Sequence, residues 1–251
     1  MGDTMRDDRV GGVPVRIAGE LGPTTLLVTG PPAGASLFRA VQARMLPQRT
    51  AAVELLASGA VGLDALAEKL QVVLDELDAE VLFAHGLALP VAARVRCQHL
   101  VASNGPVTHF DAVSRGLALL PERLLAQGLF RPAVARRWLA SSGGLRRTVN
   151  NPYVMDRDIV VMLTETLVGS PAARRVGAAW LRSARHPDAL VEAKAGVVSA
   201  IWGDHDGLYP LDQTRGLCPA DRLHVVPGGR HYFVEERPWE VADRLLAITT
   251  T

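Results

Sequence analysis

Cysteine and lysine are scarce in this 251-residue sequence, with two of each at Cys97, Cys218, Lys69 and Lys194. Two cysteines do not suggest a disulfide framework and fit a reducing compartment, so a cytoplasmic location is expected. An excess of either charge is also missing. The net charge is +1, which removes the electrostatic basis for bulk nucleic-acid binding. No apolar run approaches the length that spans a bilayer, so no membrane association is expected. The opening residues, MGDTMRDDRV, lack the apolar core of a secretory signal, and Arg6 stands where a myristoylation pattern wants Ser or Thr. The seven histidines are scattered and the cysteines have no ligand spacing, so no metal is expected. The loop Gly30-Pro31-Pro32-Ala33-Gly34 contains neither G-x-G-x-x-G nor G-K-[ST], so it is no nucleotide fingerprint, and no cofactor is expected. Repeats and low-complexity segments are absent as well.

What is present is apolar patterning. Hydrophobic residues make up 48% of the chain, enough for one large domain or one domain carrying an insertion. Residues 13–18 alternate apolar and polar and predict a strand. Residues 24–29, TTLLVT, are β-branched and continuously apolar, as in a strand buried on both faces. A helical spacing follows over 36–46 and a short strand over 50–55. Residues 63–77, LDALAEKLQVVLDEL, predict an amphipathic helix. Strands over 80–83 and 99–102 flank a helix over 87–95. Such alternation argues for an open parallel sheet covered by helices.

The rhythm then changes. From 110 to 186 only helices are predicted: 113–127, 132–140, 156–168 and 171–184. Strands return at 196–202 and 222–226, and a helix over 238–248 closes the chain. The expected organisation is an α/β core of residues 1–109 and 187–251, interrupted by a helical cap over 110–186. Sites in open parallel sheets form at the carboxyl ends of the strands, so a cap inserted there should roof the site. The cap sequence holds twelve arginines, with doublets at Arg136-Arg137, Arg146-Arg147 and Arg174-Arg175, against five acids. Its functional reading is an anionic or carrier-bound small-molecule substrate. Its plainer reading is solvated helix faces.

Three segments carry the chemistry. The first is Ala84-His85-Gly86-Leu87-Ala88, where a buried strand turns into a helix. The second is Trp202-Gly203-Asp204-His205-Asp206 at a strand end. The third is Val226-Pro227-Gly228-Gly229-Arg230-His231, followed by Tyr232 and the Glu236-Arg237-Pro238 run. In this order the segments resemble the α/β-hydrolase superfamily, of the capped kind that includes esterases, epoxide hydrolases and C–C hydrolases. The resemblance covers the core and implies an α/β-hydrolase fold, with a mostly parallel sheet flanked by helices. It implies that Asp206 is the triad acid and His231 the base, with Asp204 as the rival acid. A carboxylate bonded to one imidazole nitrogen orients the ring and stabilises its protonated form.

The sequence departs from the superfamily at two points. The elbow pattern of small-x-nucleophile-x-small places Gly86 at the nucleophile position, with no Ser, Cys or Asp adjacent. After the 24–29 strand, the superfamily's His-Gly-x-Pro is replaced by Thr29-Gly30-Pro31-Pro32. Pro31 has no N–H to offer an oxyanion. That leaves the N–H of Leu87, and losing one such donor costs about 10²–10³ in acyl transfer. Glycine takes up the strained elbow conformation without steric cost. Accessory candidates are His85, which the family packs under the sheet end, together with Ser103 and Tyr232. The plainer readings are a strand-end turn for Ser103 and packing for Tyr232. Ser36 reads as a helix cap.

Three functions fit these residues. The first is proton-transfer chemistry (elimination, cyclisation or isomerisation) by His231 and Asp206 without a covalent intermediate. The second is hydrolysis by a water that His231 activates. The third is a catalytically silent protein that binds a small molecule. The arginine-rich, alanine- and leucine-rich composition looks like a GC-rich genome, and specialised-metabolite biosynthesis is the expected setting.

Overall fold

A computed structural model describes residues 5–141, 144–186 and 190–249, apart from the side chains of Arg146 and Arg147. The first four residues and the expected boundary at 187 lie outside the described residues. Eight strands form one sheet in the order β1-β2-β4-β3-β5-β6-β7-β8. They are β1 (Met5–Val10), β2 (Val13–Ala18), β3 (Leu21–Thr29), β4 (Gln48–Val53), β5 (Ala79–His85), β6 (His99–Ser103), β7 (Val197–Gly203) and β8 (Leu223–Val226). β1 and β2 pair antiparallel, as do β2 and β4, and every other pairing is parallel.

The sheet separates two apolar cores, and alternation along each strand assigns the sides. In β3, Leu26 and Val28 face one core and Leu27 the other. In β5, Leu82 and Ala84 oppose Val81 and Phe83. Both sides are apolar because helices cover both faces, as a parallel sheet requires. Helices α2 (Leu63–Glu76) and α3 (Leu89–Ala92) bury residues in the first core. Helices α1 (Arg39–Met45) and α8 (Pro238–Thr249) bury theirs in the second. There Phe38 meets Phe83 edge-on, with ring centroids 5.9 Å apart.

Between β6 and β7 the described residues contain helices and no strand: α4 (Ala112–Ala118), α5 (Pro132–Leu139), α6 (Arg157–Gly169) and α7 (Pro171–Arg182). The single helix expected over 113–127 is instead broken. α4 stops at Ala118, and a π-helical turn occupies Leu124–Leu129. Pro121 accounts for the break, since its ring and missing N–H are incompatible with a helix interior. β1 was also not anticipated. Its residues are mostly charged and exposed, as suits a sheet edge, and a Gly11-Gly12 turn joins it to β2.

This helical segment is fastened to loops at the carboxyl ends of the strands. After β3, Gly34 N–H donates to Leu163 O at 2.8 Å and Ser36 Oγ to Met162 O at 3.0 Å. Ser36 therefore ties the core to α6, and the cap role expected of it is not seen: the 3-10 turn it occupies has Gly34 as its N-cap. After β4, Glu54 accepts Ala35 N–H and Thr166 Oγ1, each at 2.9 Å. After β5, the indole of Trp180 in α7 donates to Leu87 O at 3.0 Å. Near the chain end, Tyr232 N–H donates to Thr148 O at 3.0 Å, and Glu236 accepts the N–H groups of Asn150 and Asn151 at 2.9 and 2.6 Å.

Trp180→Phe keeps most of the buried ring and removes the donor, which strands a buried carbonyl. The expected cost is about 1–3 kcal/mol. Thermal denaturation should show Tm falling by about 2–4 °C for each kcal/mol lost.

Candidate functional site

β5 ends at His85, where the backbone turns sharply. Gly86 has a φ of +61°, in the left-handed region, and opens a 3-10 turn over Gly86–Ala88 that leads into α3. This is the conformation that a side-chain-bearing residue adopts only under strain. The β3 loop presses against the same turn. A Cβ at Gly30 would lie 2.6 Å from Leu87 Cβ and 2.9 Å from Ala88 N, so only glycine fits there. The N–H of Leu87 lies at the start of the turn, where helical N–H groups have no intrahelical acceptor.

His231 stands opposite. Its Nδ1 is 2.9 Å from Asp206 Oδ2, and both side chains are almost wholly buried. Asp206 Oδ1 accepts the N–H of Leu208 at 2.8 Å. The carboxylate selects the Nδ1–H tautomer, which leaves Nε2 bare on the other side of the ring. That side faces the turn: a Cβ at Gly86 would lie 3.4 Å from Nε2. Asp204 is committed elsewhere. Its Oδ1 is 2.7 Å from His205 Nδ1 and accepts Gly228 N–H at 2.6 Å. The His205 hydrogen bond, first among several causes, holds the Asp204 carboxyl below the usual range. Of the two rival acids, geometry therefore gives His231 to Asp206.

The accessory residues divide. His85 is fully buried beneath His231, with ring centroids 5.0 Å apart. Its Nδ1 meets Ser103 Oγ at 3.2 Å, and its Nε2 has no hydrogen-bond partner among the described residues. Burial, and then the neighbouring His231, push its pKa well below the ordinary histidine value, so the ring is neutral. Neither His85 nor Ser103 lines the cavity. Tyr232 does, and its ring packs edge-on to His231 at 4.8 Å. Burial, and then Asp206, raise its phenol pKa, so the hydroxyl keeps its proton.

The cavity between the helical segment and the strand ends measures about 290 Å³. Gly30, Pro31, Gly86, Leu87 and His231 line it from the core, and Ser114, Trp138 and Thr148 line it from the helical segment. Thr29 and Thr148 are lining residues whose hydroxyls donate to the carbonyls of Gly30 and Leu145, so neither is poised on His231. No arginine with a described side chain lines it. The Arg146-Arg147 doublet lies outside the described side chains. Among the described residues no three His, Cys, Asp or Glu side chains converge to hold a metal ion, and no helix is long and apolar enough to cross a membrane.

Three site residues escaped the sequence reading. Tyr209 lines the cavity, donates its hydroxyl to Asp111 Oδ2 at 2.7 Å and lies 5.7 Å from His231, ring to ring. Asp111 caps α4 by accepting Ser114 N–H at 2.9 Å. Asn104, with a φ of +39°, accepts Gly203 N–H at 2.9 Å and donates to Arg230 O at 3.2 Å, clamping the ends of β6 and β7 to the His231 loop. The D-x-x-S spacing of Asp111 and Ser114 was an available cap signal. Nothing in the sequence joins Asp111 to Tyr209.

Solved structures match this architecture. An α/β-hydrolase fold protein from Burkholderia ambifaria is 20% identical with a TM-score of 0.73, covering 98% of each chain. The epoxide hydrolase CorEH is 15% identical with a TM-score of 0.72, covering 97% of each. A thermophilic esterase from Thermogutta terrifontis is 17% identical with a TM-score of 0.68, also covering 97% of each. No protein-family model and no curated protein sequence matches the chain. The protein has the α/β-hydrolase fold, and its function must be argued from the site.

The neutral, buried His85 sets a pH dependence. Because its native pKa lies below 6.5, the unfolded chain takes up the proton first, so stability is lost as pH falls through that value. In urea titrations at about pH 7.5 and about pH 5.5, wild type should lose stability relative to His85→Phe at the lower pH. An unchanged difference would mean that His85 is protonated in the native state.

Proposed function

We propose that this protein is an α/β-hydrolase-fold enzyme that moves a proton without forming a covalent intermediate. His231, oriented by Asp206, is the base, and it abstracts a proton from a small substrate or returns one. Residues 110–186 act as the cap, defining the pocket and excluding water. One observation carries the reading: the bare Nε2 of His231 points at Gly86, 3.4 Å from where a Cβ would be, and no nucleophile stands between. In this reading Gly86 occupies the nucleophile position, and the missing serine frees His231 to act on the substrate directly. A general base of this kind contributes about 10²–10⁴ to the rate. The loss of the Pro31 N–H weighs against ester hydrolysis. Elimination, cyclisation and isomerisation all remain within reach of the pair, and a specialised metabolite is the substrate we favour.

A second reading rests on the space in front of Gly86. A water held there beside Nε2 would make the protein a hydrolase with no acyl-enzyme. Incorporation of labelled solvent oxygen into product separates the two readings.

The test uses p-nitrophenyl acetate with wild type, Gly86→Ser and the Gly86→Ser/His231→Ala pair. Wild type is expected to be inert. Gly86→Ser should release a burst of nitrophenol and lose it when His231 is also removed, at a stability cost of about 1–3 kcal/mol for the φ of the elbow. Steady hydrolysis by wild type that disappears in His231→Ala would favour the activated water. On the true substrate, His231→Ala should reduce turnover by about 10² or more. Turnover that survives this change would sink the proton-transfer reading.

A further inference from the structure

The cavity carries a charged group that the proton-transfer reading does not use. Among its described lining side chains Asp111 is the one carboxylate, and none is a lysine or arginine. Asp111 is buried, and both its oxygens are engaged by neutral donors: Ser114 N–H on Oδ1 at 2.9 Å and Tyr209 Oη on Oδ2 at 2.7 Å. Burial and the adjacent Asp111 hold the Tyr209 phenol pKa well above its ordinary value, so Tyr209 remains a neutral donor. Among the described residues no cation pairs with Asp111. A buried carboxylate that is hydrogen-bonded but has no counter-charge is costly. It also retains acceptor capacity, since about four lone-pair directions are available and two are used.

The rest of the cavity favours the same kind of ligand. Trp138, Tyr209 and Tyr232 all line it, and aromatic faces attract a cation that has been taken out of water. A single tyrosine separates the carboxylate from the base, because Tyr209 touches Asp111 with its hydroxyl and lies 5.7 Å from the His231 ring.

We propose that Asp111 is the specificity-determining residue of this cavity and that it selects a substrate carrying a protonated amine, about one aromatic ring's length from the atom that exchanges its proton with His231. The proposal rests on the cavity being the substrate site and is independent of the chemistry done there. It differs from the anionic substrate that the arginine content suggested. The arginines of the helical segment whose side chains are described lie off the cavity; Arg182, for example, pairs with Glu122 at 3.8 Å.

Three probes of matched size test it by isothermal titration calorimetry at neutral pH: benzylamine, benzyl alcohol and benzoate. Wild type should bind benzylamine about tenfold or more tightly than benzyl alcohol, with benzoate weakest. Asp111→Asn, which keeps an acceptor for Tyr209 or Ser114, should bring benzylamine down to the level of the alcohol. Tyr209→Phe keeps the charge and should retain the amine preference. His231→Ala should retain it too, so loss of the amine subsite and loss of the proton-transfer chemistry are read separately. The proposal is overturned if wild type shows no benzylamine binding at millimolar concentration, if alcohol or benzoate binds as tightly as the amine, or if Asp111→Asn keeps the preference. Should Asp111→Asn fail to fold, the ranking of the three probes on wild type still decides.

Discussion

The site depends on one buried hydrogen bond, between Nδ1 of His231 and Asp206. It fixes which imidazole nitrogen is bare, and therefore where the ring can accept a proton. The surrounding structure holds the two residues together. Asp206 follows β7 and His231 follows β8, and these neighbouring parallel strands bring their carboxyl ends side by side. Asn104, at the end of β6, bonds both to Gly203 in β7 and to the carbonyl beside His231. His85 packs underneath as a neutral ring, which avoids placing a second positive charge against a protonated His231.

Around this pair the fold supplies a pocket, with Gly86 and Leu87 among its lining residues. The turn at Gly86 is held from three directions: by β5 before it, by the Gly30 loop pressed against Leu87, and by Trp180 bonded to Leu87 O. None of these contacts needs a side chain at position 86. The turn is therefore held by backbone packing, and a cavity with aromatic walls opens over it. In our reading the base, a substrate-sized space and a carboxylate one tyrosine away together form a site for directing a proton on an amine-bearing molecule.

The sequence made the parallel strands legible because both sheet faces are buried, and stretches such as TTLLVT and EVLF are correspondingly apolar without interruption. It concealed β1, whose MRDDRV run sits at an exposed edge and has no need of apolar residues. The break at Pro121 lies inside an apolar spacing that continues on both sides of the proline, so the spacing alone does not mark it. Among site residues, the Asp206–His231 pairing was legible through its flanking motifs. Asp111 and Tyr209 were not, because they lie on different elements and meet only when the helical segment closes over the strand ends. Contacts of that kind are set by tertiary packing and leave no local spacing to read.

The most direct measurement is the tautomer of His231, read from the ¹⁵N chemical shifts of histidine-labelled protein at a pH where the ring is neutral. The proton is expected on Nδ1, bonded to Asp206, with a bare Nε2 facing the cavity. A ring protonated on Nε2 instead would leave no base directed at the space above Gly86, and the proton-transfer mechanism would be excluded.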